Sequence, residues 1–401
     1  KRTLSPYRGF QSSVEPLLFF GLGKTAKIDS LIVKWPTGGI EKINDVAVNQ
    51  LVTVYQKNAI NEKIELSQSP AFFTERKNAI DFTHSENEFV DFKIQTLLPR
   101  MYSTQGPAMV GADINNDGLM DLYFGGAKGQ PGRIFLQDKE GNFTEHVQEV
   151  FTTDKMSEDV DAVFFDMDKD GYPDLYVVSG GYEYGVGDAL LQDRLYKNDG
   201  NGNFVKVELP DFHESGSCVR PADVDGDGDM DLFVGGRIIP GWYPETPKSY
   251  LLINDGKGNF SIKTDEIASG LSKIGMVTDA SWADLNHDQL PDLVLVGEWI
   301  PIKIFINEKG RLTDRSSEYI EGQTQGWWNT ILVEDMDGDG SIDLVAGNFG
   351  MNNQYKVSGD RPMTIYYADY DLNTSIDPII NYYIGDKSYP MPTLDELIGQ
   401  S

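Results

Sequence analysis

The sequence predicts an all-β protein, a β-propeller of about seven blades preceded by a small N-terminal β segment. Three observations carry that prediction. An acidic nine-residue pattern recurs along the chain, each copy runs into an aliphatic stretch, and a second turn signal keeps phase with the first.

The acidic pattern appears as DINNDGLMD from Asp113, DMDKDGYPD from Asp166, DVDGDGDMD from Asp223, DLNHDQLPD from Asp284 and DMDGDGSID from Asp335. A weaker sixth copy, DYDLNTSID, starts at Asp369. Their first residues lie 53, 57, 61, 51 and 34 residues apart. The five strong copies continue into LYFGG, LYVVSGG, LFVGG, LVLVG and LVAG, and apolar stretches such as AMVGA and DAVFF precede them. Short apolar runs bounded by turn residues read as strands, so each copy is strand, acidic loop, strand.

The second signal is QDKEGNF, NDGNGNF and NDGKGNF, reaching Phe143, Phe204 and Phe260, with NEKGRL reaching Leu312 as a degenerate fourth. Asn, Asp and Gly supply the positive φ values of tight hairpin turns. The flanking RIFLQ, RLYKN, YLLIN and KIFIN are strands by composition. Two hairpins per unit give about four strands in roughly 50 residues, the signature of a propeller blade.

In D-x-D-x-D-G-x-x-D, the side chains at positions one, three and five turn toward one point. Position seven offers its backbone carbonyl, and the carboxylate at position nine closes the shell. These are Asp113, Asn115, Asp117, Leu119 and Asp121 in the first copy, and Asp166, Asp168, Asp170, Tyr172 and Asp174 in the second. The third has Asp223, Asp225, Asp227, Asp229 and Asp231; the fourth, Asp284, Asn286, Asp288, Leu290 and Asp292. The fifth has Asp335, Asp337, Asp339, Ser341 and Asp343; the sixth, Asp369, Asp371, Asn373, Ser375 and Asp377. Six or more hard oxygen ligands suit Ca²⁺ better than Zn²⁺ or Mg²⁺. About five or six calcium ions are expected. An EF-hand is excluded, because position twelve is Phe124, Val177, Val234, Leu295 or Ala346 rather than Glu. Gln289 and Thr374 stand where the turn glycine is expected.

The charge count fits this reading. Sixty-three acidic residues against 34 basic ones give a net charge of −29, which argues against a nucleic-acid partner. Bound calcium would neutralise part of it. The single Cys218 permits no internal disulfide and reads as a small buried hydrophobe. No stretch approaches the ~20 apolar residues of a membrane span, and no signal segment lies within the chain.

The five strong units resemble the FG-GAP/VCBS repeats of integrin α-subunit propellers and bacterial surface proteins. That resemblance implies a propeller with calcium in several blade loops. Residues 8–56 hold FGLG at Phe20–Gly23 and the alternating DSLIVKWPTG at Asp29–Gly38, and they resemble the ASPIC/UnbV domain. The pattern starts partway into that family's domain. The combination is similar to two-part proteins of Bacteroidetes that are commonly exported or anchored at the cell surface. An extracytoplasmic, secreted or surface-anchored location follows as an expectation. The expected organisation is an ASPIC/UnbV-like segment over 1–60, a connecting region over 61–100 and a propeller over 101–401, its ring completed either by strands from residues 62–100 or by a C-terminal stretch outside the sequence.

No catalytic signature stands out. The histidines His84, His146, His213 and His287 share no metal-ligand spacing, and no nucleophile motif is present. Large residues do gather just beyond the loop-following strands: Tyr182 and Glu183, Arg237 with Trp242, Glu298 with Trp299, and Asn348, with Trp327 preceding the fifth loop. Aromatics among charged and amide groups suit a carbohydrate or protein ligand, although bulky residues also simply pack between blades. The sequence therefore points to a calcium-stabilised binding or adhesion module. The alternative is a polysaccharide-active hydrolase or lyase that uses the same aromatic face.

Overall fold

A computed structural model describes residues 7–9, 12–13, 17–36, 38–60, 73, 79–350 and 353–398. The chain divides into two compact units, Lys1–Lys77 and Asn78–Ser401. In the first, the alternating DSLIVKW stretch forms an antiparallel hairpin from strands Lys27–Lys34 and Ile40–Ala47. Ile40 also bridges to Ile60, and the buried Glu41 carboxylate accepts from the Tyr55 N–H at 3.2 Å and the Asn58 amide at 3.1 Å.

The second unit is built of antiparallel meanders, as the doubled turn signal requires. The first blade comprises Met109–Ala112, Asp121–Phe124, Arg133–Gln137 and Phe143–His146. The second comprises Glu158–Phe165, Asp174–Gly180, Arg194–Asn198 and Phe204–Val207. The third is Ser215–Ala222, Asp231–Ile238, Tyr250–Asn254 and Phe260–Ile262. The fourth is Met276–Ala283, Asp292–Ile300, Lys303–Asn307 and Leu312–Asp314. In each, neighbours in sequence are neighbours in the sheet. The fifth unit has two strands among the described residues, Gly326–Glu334 and Asp343–Asn348; a 34-residue spacing leaves no room for a second hairpin. The sixth has three, Thr364–Ala368, Asp377–Ile384 and Lys387–Pro390.

Successive first strands pack against one another from the first blade to the fifth unit. Arg220 on the third blade reaches Asp161 on the second at 2.7 Å and Asp279 on the fourth at 2.6 Å. Asp279 in turn accepts from the fifth unit's Thr330 hydroxyl at 2.8 Å and Ile331 N–H at 3.0 Å. Apolar residues fill the wedges between sheets: Tyr176, Val178, Leu195, Val219, Leu232 and Leu252 form one such core between the second and third blades. Complete burial of each aliphatic chain contributes about 1.5–3 kcal/mol. Cys218 lies in the next core, as a buried hydrophobe, and burial pushes its thiol pKa up to about 12.

Two features depart from the sequence reading. Residues 79–100 contribute no strand among those described, and most of 61–78 lies outside the described residues. The described stretch holds a 3-10 turn at Asp91–Lys93 and lies across the blade ends. The sixth unit also leaves the row. The Ile376 carbonyl, next to Asp377, accepts from Gln95 at 2.7 Å, and Gln95 is held at the ends of the second and third blades opposite their acidic loops. Among the described residues no sheet pairing joins the sixth unit to the first.

All six acidic loops nevertheless share one backbone. Position six has positive φ in each, between +83° and +88° for its four glycines. Gln289 and Thr374 are forced into the same region, at 70° and 73°. A left-handed conformation costs a non-glycine residue about 1–2 kcal/mol, and more disturbs a β-branched one. Thr374→Gly should therefore raise stability by about 1 kcal/mol in thermal or urea unfolding, net of glycine's added chain entropy. A variant no more stable than the parent would show that the loop relaxes around threonine.

Candidate functional site: acidic loops and the opposite rim

Each acidic loop is folded by its own carboxylates. The first Asp accepts the N–H of position six and that of position five or four, as Asp166 does from Gly171 at 2.9 Å and Asp170 at 3.1 Å and Asp223 does from Gly228 at 3.0 Å and Gly226 at 2.8 Å. The side chain at position five accepts from position seven, as Asp170 does from Tyr172 at 3.0 Å. These bonds use one side of the carboxylates and leave oxygens turned inward. In four loops three such oxygens lie within 4.8 Å of one another: Asp166, Asp168 and Asp174; Asp223, Asp225 and Asp231; Asp335, Asp337 and Asp339; Asp369, Asp371 and Asp377. In the loops at Asp113 and Asp284 position three is an amide, Asn115 or Asn286, and the carboxylates do not close to the same spacing among the described residues.

Several anionic oxygens this close repel one another unless a cation sits among them. In the second loop, Lys197 already supplies some of that charge: its ammonium pairs with Asp168 and lies 3.2 Å from Asp170. The donor set is all oxygen, with a carbonyl at position seven, and it fits a hard divalent ion. Position nine differs from the other ligand positions. Asp121, Asp174, Asp231 and Asp292 are fully buried. Asp231 accepts from the Val224 N–H at 2.9 Å with one oxygen and the Asn254 N–H at 2.9 Å with the other. Burial drives its pKa up to about 7, against the pull of those two N–H donors, and that of Asp174 up to about 6. A carboxylate in this position is a structural pin as well as a candidate ligand.

The register shows what lies at the other end of a blade. Asp174 pairs with Phe165 beside the loop, and Gly180 pairs with Glu158 about 20 Å away. This opposite rim carries the residues singled out beyond the strands. Arg237 and Glu298 are brought together at 2.6 Å, both buried. Arg100 also pairs with Glu298, and the Tyr102 hydroxyl donates to it at 2.9 Å. Burial raises the Glu298 pKa, but the Arg237 and Arg100 guanidiniums overcome this and hold it below the usual carboxylate range. Gln95 spends all its hydrogen-bonding capacity here: it accepts from the Tyr182 hydroxyl at 2.6 Å and the Tyr243 N–H at 3.1 Å, and donates to the Tyr243 and Ile376 carbonyls.

Tyr182, Arg237 and Glu298, read from the sequence as candidate ligand contacts, are not open to a ligand. These three are buried because residues 89–103 lie over them, with Leu98 and Tyr102 entering a shared core with Tyr182, Ile238 and Tyr243. Glu183 stands beside them, partly buried, and Trp242 is exposed at its own turn. Access survives farther along the rim. Trp299 lies 5.7 Å from Trp327, Trp327 stacks on Phe349 at 5.2 Å, and Tyr355 follows at 6.4 Å. Phe349 and Asn348 are exposed, and the half-exposed Arg100 guanidinium lies 5.7 Å from the Trp327 ring. Arg100, Tyr102 and Gln95 escaped the sequence reading because they lie in no repeat. Tyr355 escaped it too, whereas Phe349 was singled out together with Asn348.

With this geometry in view, family comparisons place the repeats. A model described as "FG-GAP-like repeat" matches residues 89–177, 179–234 and 284–346, more than half of the chain, and "ASPIC and UnbV" matches residues 1–61. The chain belongs to the FG-GAP repeat family. No curated protein matches the sequence. Among solved structures, this FG-GAP protein has loose similarity to the biofilm matrix protein Bap1 of V. cholerae, at 15% identity over 75% of this chain and 41% of that one, TM-score 0.33. A Bacillus licheniformis rhamnogalacturonan lyase gives 10% identity over 72% and 57%, TM-score 0.38. An auxiliary nutrient binding protein from Bacteroides ovatus gives 11% over 58% and 64%, TM-score 0.26. The FG-GAP chain thus spans less than two thirds of each of these.

The rim's charge cluster predicts an asymmetric response to mutation. Glu298→Gln leaves two guanidiniums facing a neutral amide and should cost about 3–5 kcal/mol, the range for a broken buried pair. Arg100→Ala, at the half-exposed edge, should cost about 1 kcal/mol or less. Denaturant unfolding of both variants checks this; equal losses would show that Glu298 does not hold the rim together.

Proposed function

We propose that this FG-GAP protein is a calcium-stabilised, extracytoplasmic binding module that holds a carbohydrate along the Trp299–Trp327–Phe349–Tyr355 row. The observation that carries the reading is this row of four aromatics with Arg100 at its edge. Aromatic rings present flat apolar faces to sugar C–H groups, while Arg100 and Asn348 offer polar contacts to hydroxyls. Rim chemistry favours binding over cleavage. Glu298 accepts from two guanidiniums and a phenol, is fully buried, and is kept ionised, so it has no proton to give a leaving group.

Calcium, when bound, neutralises the converging carboxylates of the loops. Asp168, Asp174, Asp225, Asp231 and their counterparts would hold it, and the same Asp231 and Asp174 fasten the loop to the third strand of their own blade. Open carboxylate loops of this kind bind with dissociation constants of about 10⁻⁴–10⁻³ M, which matches millimolar calcium outside the cytoplasm. Each site at tenfold its dissociation constant adds about 1.4 kcal/mol, so four add on the order of 5 kcal/mol.

Chelation should lower the melting temperature, and calcium should restore it more fully than magnesium. Asp335→Ala, in an exposed loop where water can take up the freed N–H groups, should act mainly on the calcium-dependent part. Asp231→Ala should destabilise even in chelator, because two buried N–H groups lose their acceptor. A chelator-insensitive melt would refute the calcium reading. For the ligand, glycan-array binding should select a polysaccharide whose affinity falls about tenfold, ~1.4 kcal/mol, in Trp327→Ala. Release of oligosaccharides by the parent protein would favour the enzyme instead, and no effect of Trp327→Ala would remove the aromatic row from the account.

A further inference from the structure

Charged groups on the rim are balanced almost everywhere. Asp159 pairs with Arg194 at 2.7 Å and accepts from the Tyr123 hydroxyl and the Gly126 N–H, both at 2.8 Å. Asp91 accepts from the N–H groups of Tyr102 and Ser103 and from the Ser103 hydroxyl. Glu86 meets His84 at 2.7 Å. Two carboxylates among them keep oxygens that neither a hydrogen-bond donor nor a cationic side chain answers.

Glu158 opens the first strand of the second blade and is 1% exposed, yet neither of its carboxylate oxygens has a hydrogen-bond partner. Glu183 follows the second strand of the same blade. One of its oxygens accepts from the Tyr182 N–H at 3.0 Å, and the other has no partner. Neither acid makes an ion pair among the described residues. They converge on one point. A Cβ placed on Gly181 would lie 2.9 Å from a Glu158 oxygen, 2.8 Å from a Glu183 oxygen and 2.9 Å from the Tyr184 ring edge. Gly181, at φ +103°, thus keeps open a cradle that any side chain would fill.

Two carboxylates facing each other in a buried cradle should repel, and burial alone penalises each charge. One divalent cation cancels both. We propose that Glu158 and Glu183 hold a hard divalent cation of the calcium class above Gly181, a site distinct from the acidic loops and at the opposite end of the second blade. All the protein donors are carboxylate oxygens, which suits such an ion and excludes a soft one. Glu86 lies within electrostatic reach, and Asn87 beside it carries another buried oxygen without a partner. Lacking a cation, the cradle answers with a proton: burial, then the charge of Glu183, pushes the Glu158 pKa up to about 9.

The ion would tie the start of the first strand to the loop after the second, beside the segment that carries Gln95 and Arg100. It is independent of the carbohydrate reading, since none of its ligands belongs to the aromatic row.

Calcium content per folded chain, measured by elemental analysis after equilibrium dialysis, tests the site together with melting curves in calcium and in chelator. Glu158→Gln and Glu183→Gln should each bind one ion fewer than the parent protein. In chelator Glu158→Gln should melt as high as the parent or higher, because it removes an unpaired buried acid; in calcium it should gain less. Asp335→Ala, a loop variant, should lose a different ion, so that its loss adds to that of Glu158→Gln. Unchanged calcium content together with an unchanged calcium-induced shift in both Glu variants would overturn the proposal. Should Glu158→Gln fail to fold, Glu183→Gln, nearer solvent, decides alone by the same two readouts.

Discussion

The residue at position two of the first three acidic loops is pinned by both of its backbone groups, and the blade row depends on that clamp. Val224 donates its N–H to Asp231 of its own loop, and its carbonyl accepts at 2.8 Å from the Asn307 amide of the following blade. Met167 is held in the same way by Asp174 and Asn254, and Ile114 by Asp121 and Asn198. Each Asn donates a second bond to the position-eight carbonyl of its own loop: Pro173, Met230 or Pro291. Blade is thus fastened to blade through buried, fully paired polar groups, each costly to leave unmade. The loop whose carboxylates converge is the same loop that fastens neighbouring sheets together.

This arrangement assigns the two ends of the first four blades different work. At the loop end the carboxylates are numerous, mostly surface-facing and short of counter-charge. At the rim the acids are buried, and two of them are answered directly, Glu298 by Arg100 and Arg237 and Asp159 by Arg194, whereas Glu158 and Glu183 are not. A chain with a net charge of −29 thus places the guanidiniums of Arg194 and Arg237 where polar groups must be desolvated. Residues 89–103 complete the rim. They bring Arg100, Tyr102 and Gln95 to blades far away in sequence, which explains why a stretch with no strand among its described residues still belongs to the second unit.

Much of this was legible because repetition exposes local rules. The strands RIFLQ, RLYKN, YLLIN and KIFIN and the fourth-strand starts at Phe143, Phe204, Phe260 and Leu312 follow from turn chemistry, and the structure has them where the pattern puts them. The convergence of loop carboxylates was readable from alternate-residue geometry. Three things were not. Position nine was read only as a ligand, since its two N–H donors come from the same loop and from a strand two hairpin arms later. Asn198, Asn254 and Asn307 looked like ordinary turn residues, because their partners lie on the preceding blade. The burial of Tyr182, Arg237 and Glu298 depended on a non-repeating segment whose docking no local pattern encodes. The sixth unit's departure is of the same kind: DYDLNTSID keeps the loop backbone, but the chain around it does not keep the spacing.

The central claim is that loop occupancy and blade docking are one equilibrium. Native-state hydrogen exchange of the Val224, Asn254 and Asn307 amides tests it most directly, because these N–H groups donate to Asp231 or Asp292 at the clamp itself. The account predicts strong protection of all three in calcium and a concerted loss of protection in chelator, while amides within the hairpin of residues 27–47 keep theirs. Protection at the clamp that is indifferent to calcium would contradict it, separating the acidic loops from the architecture they appear in.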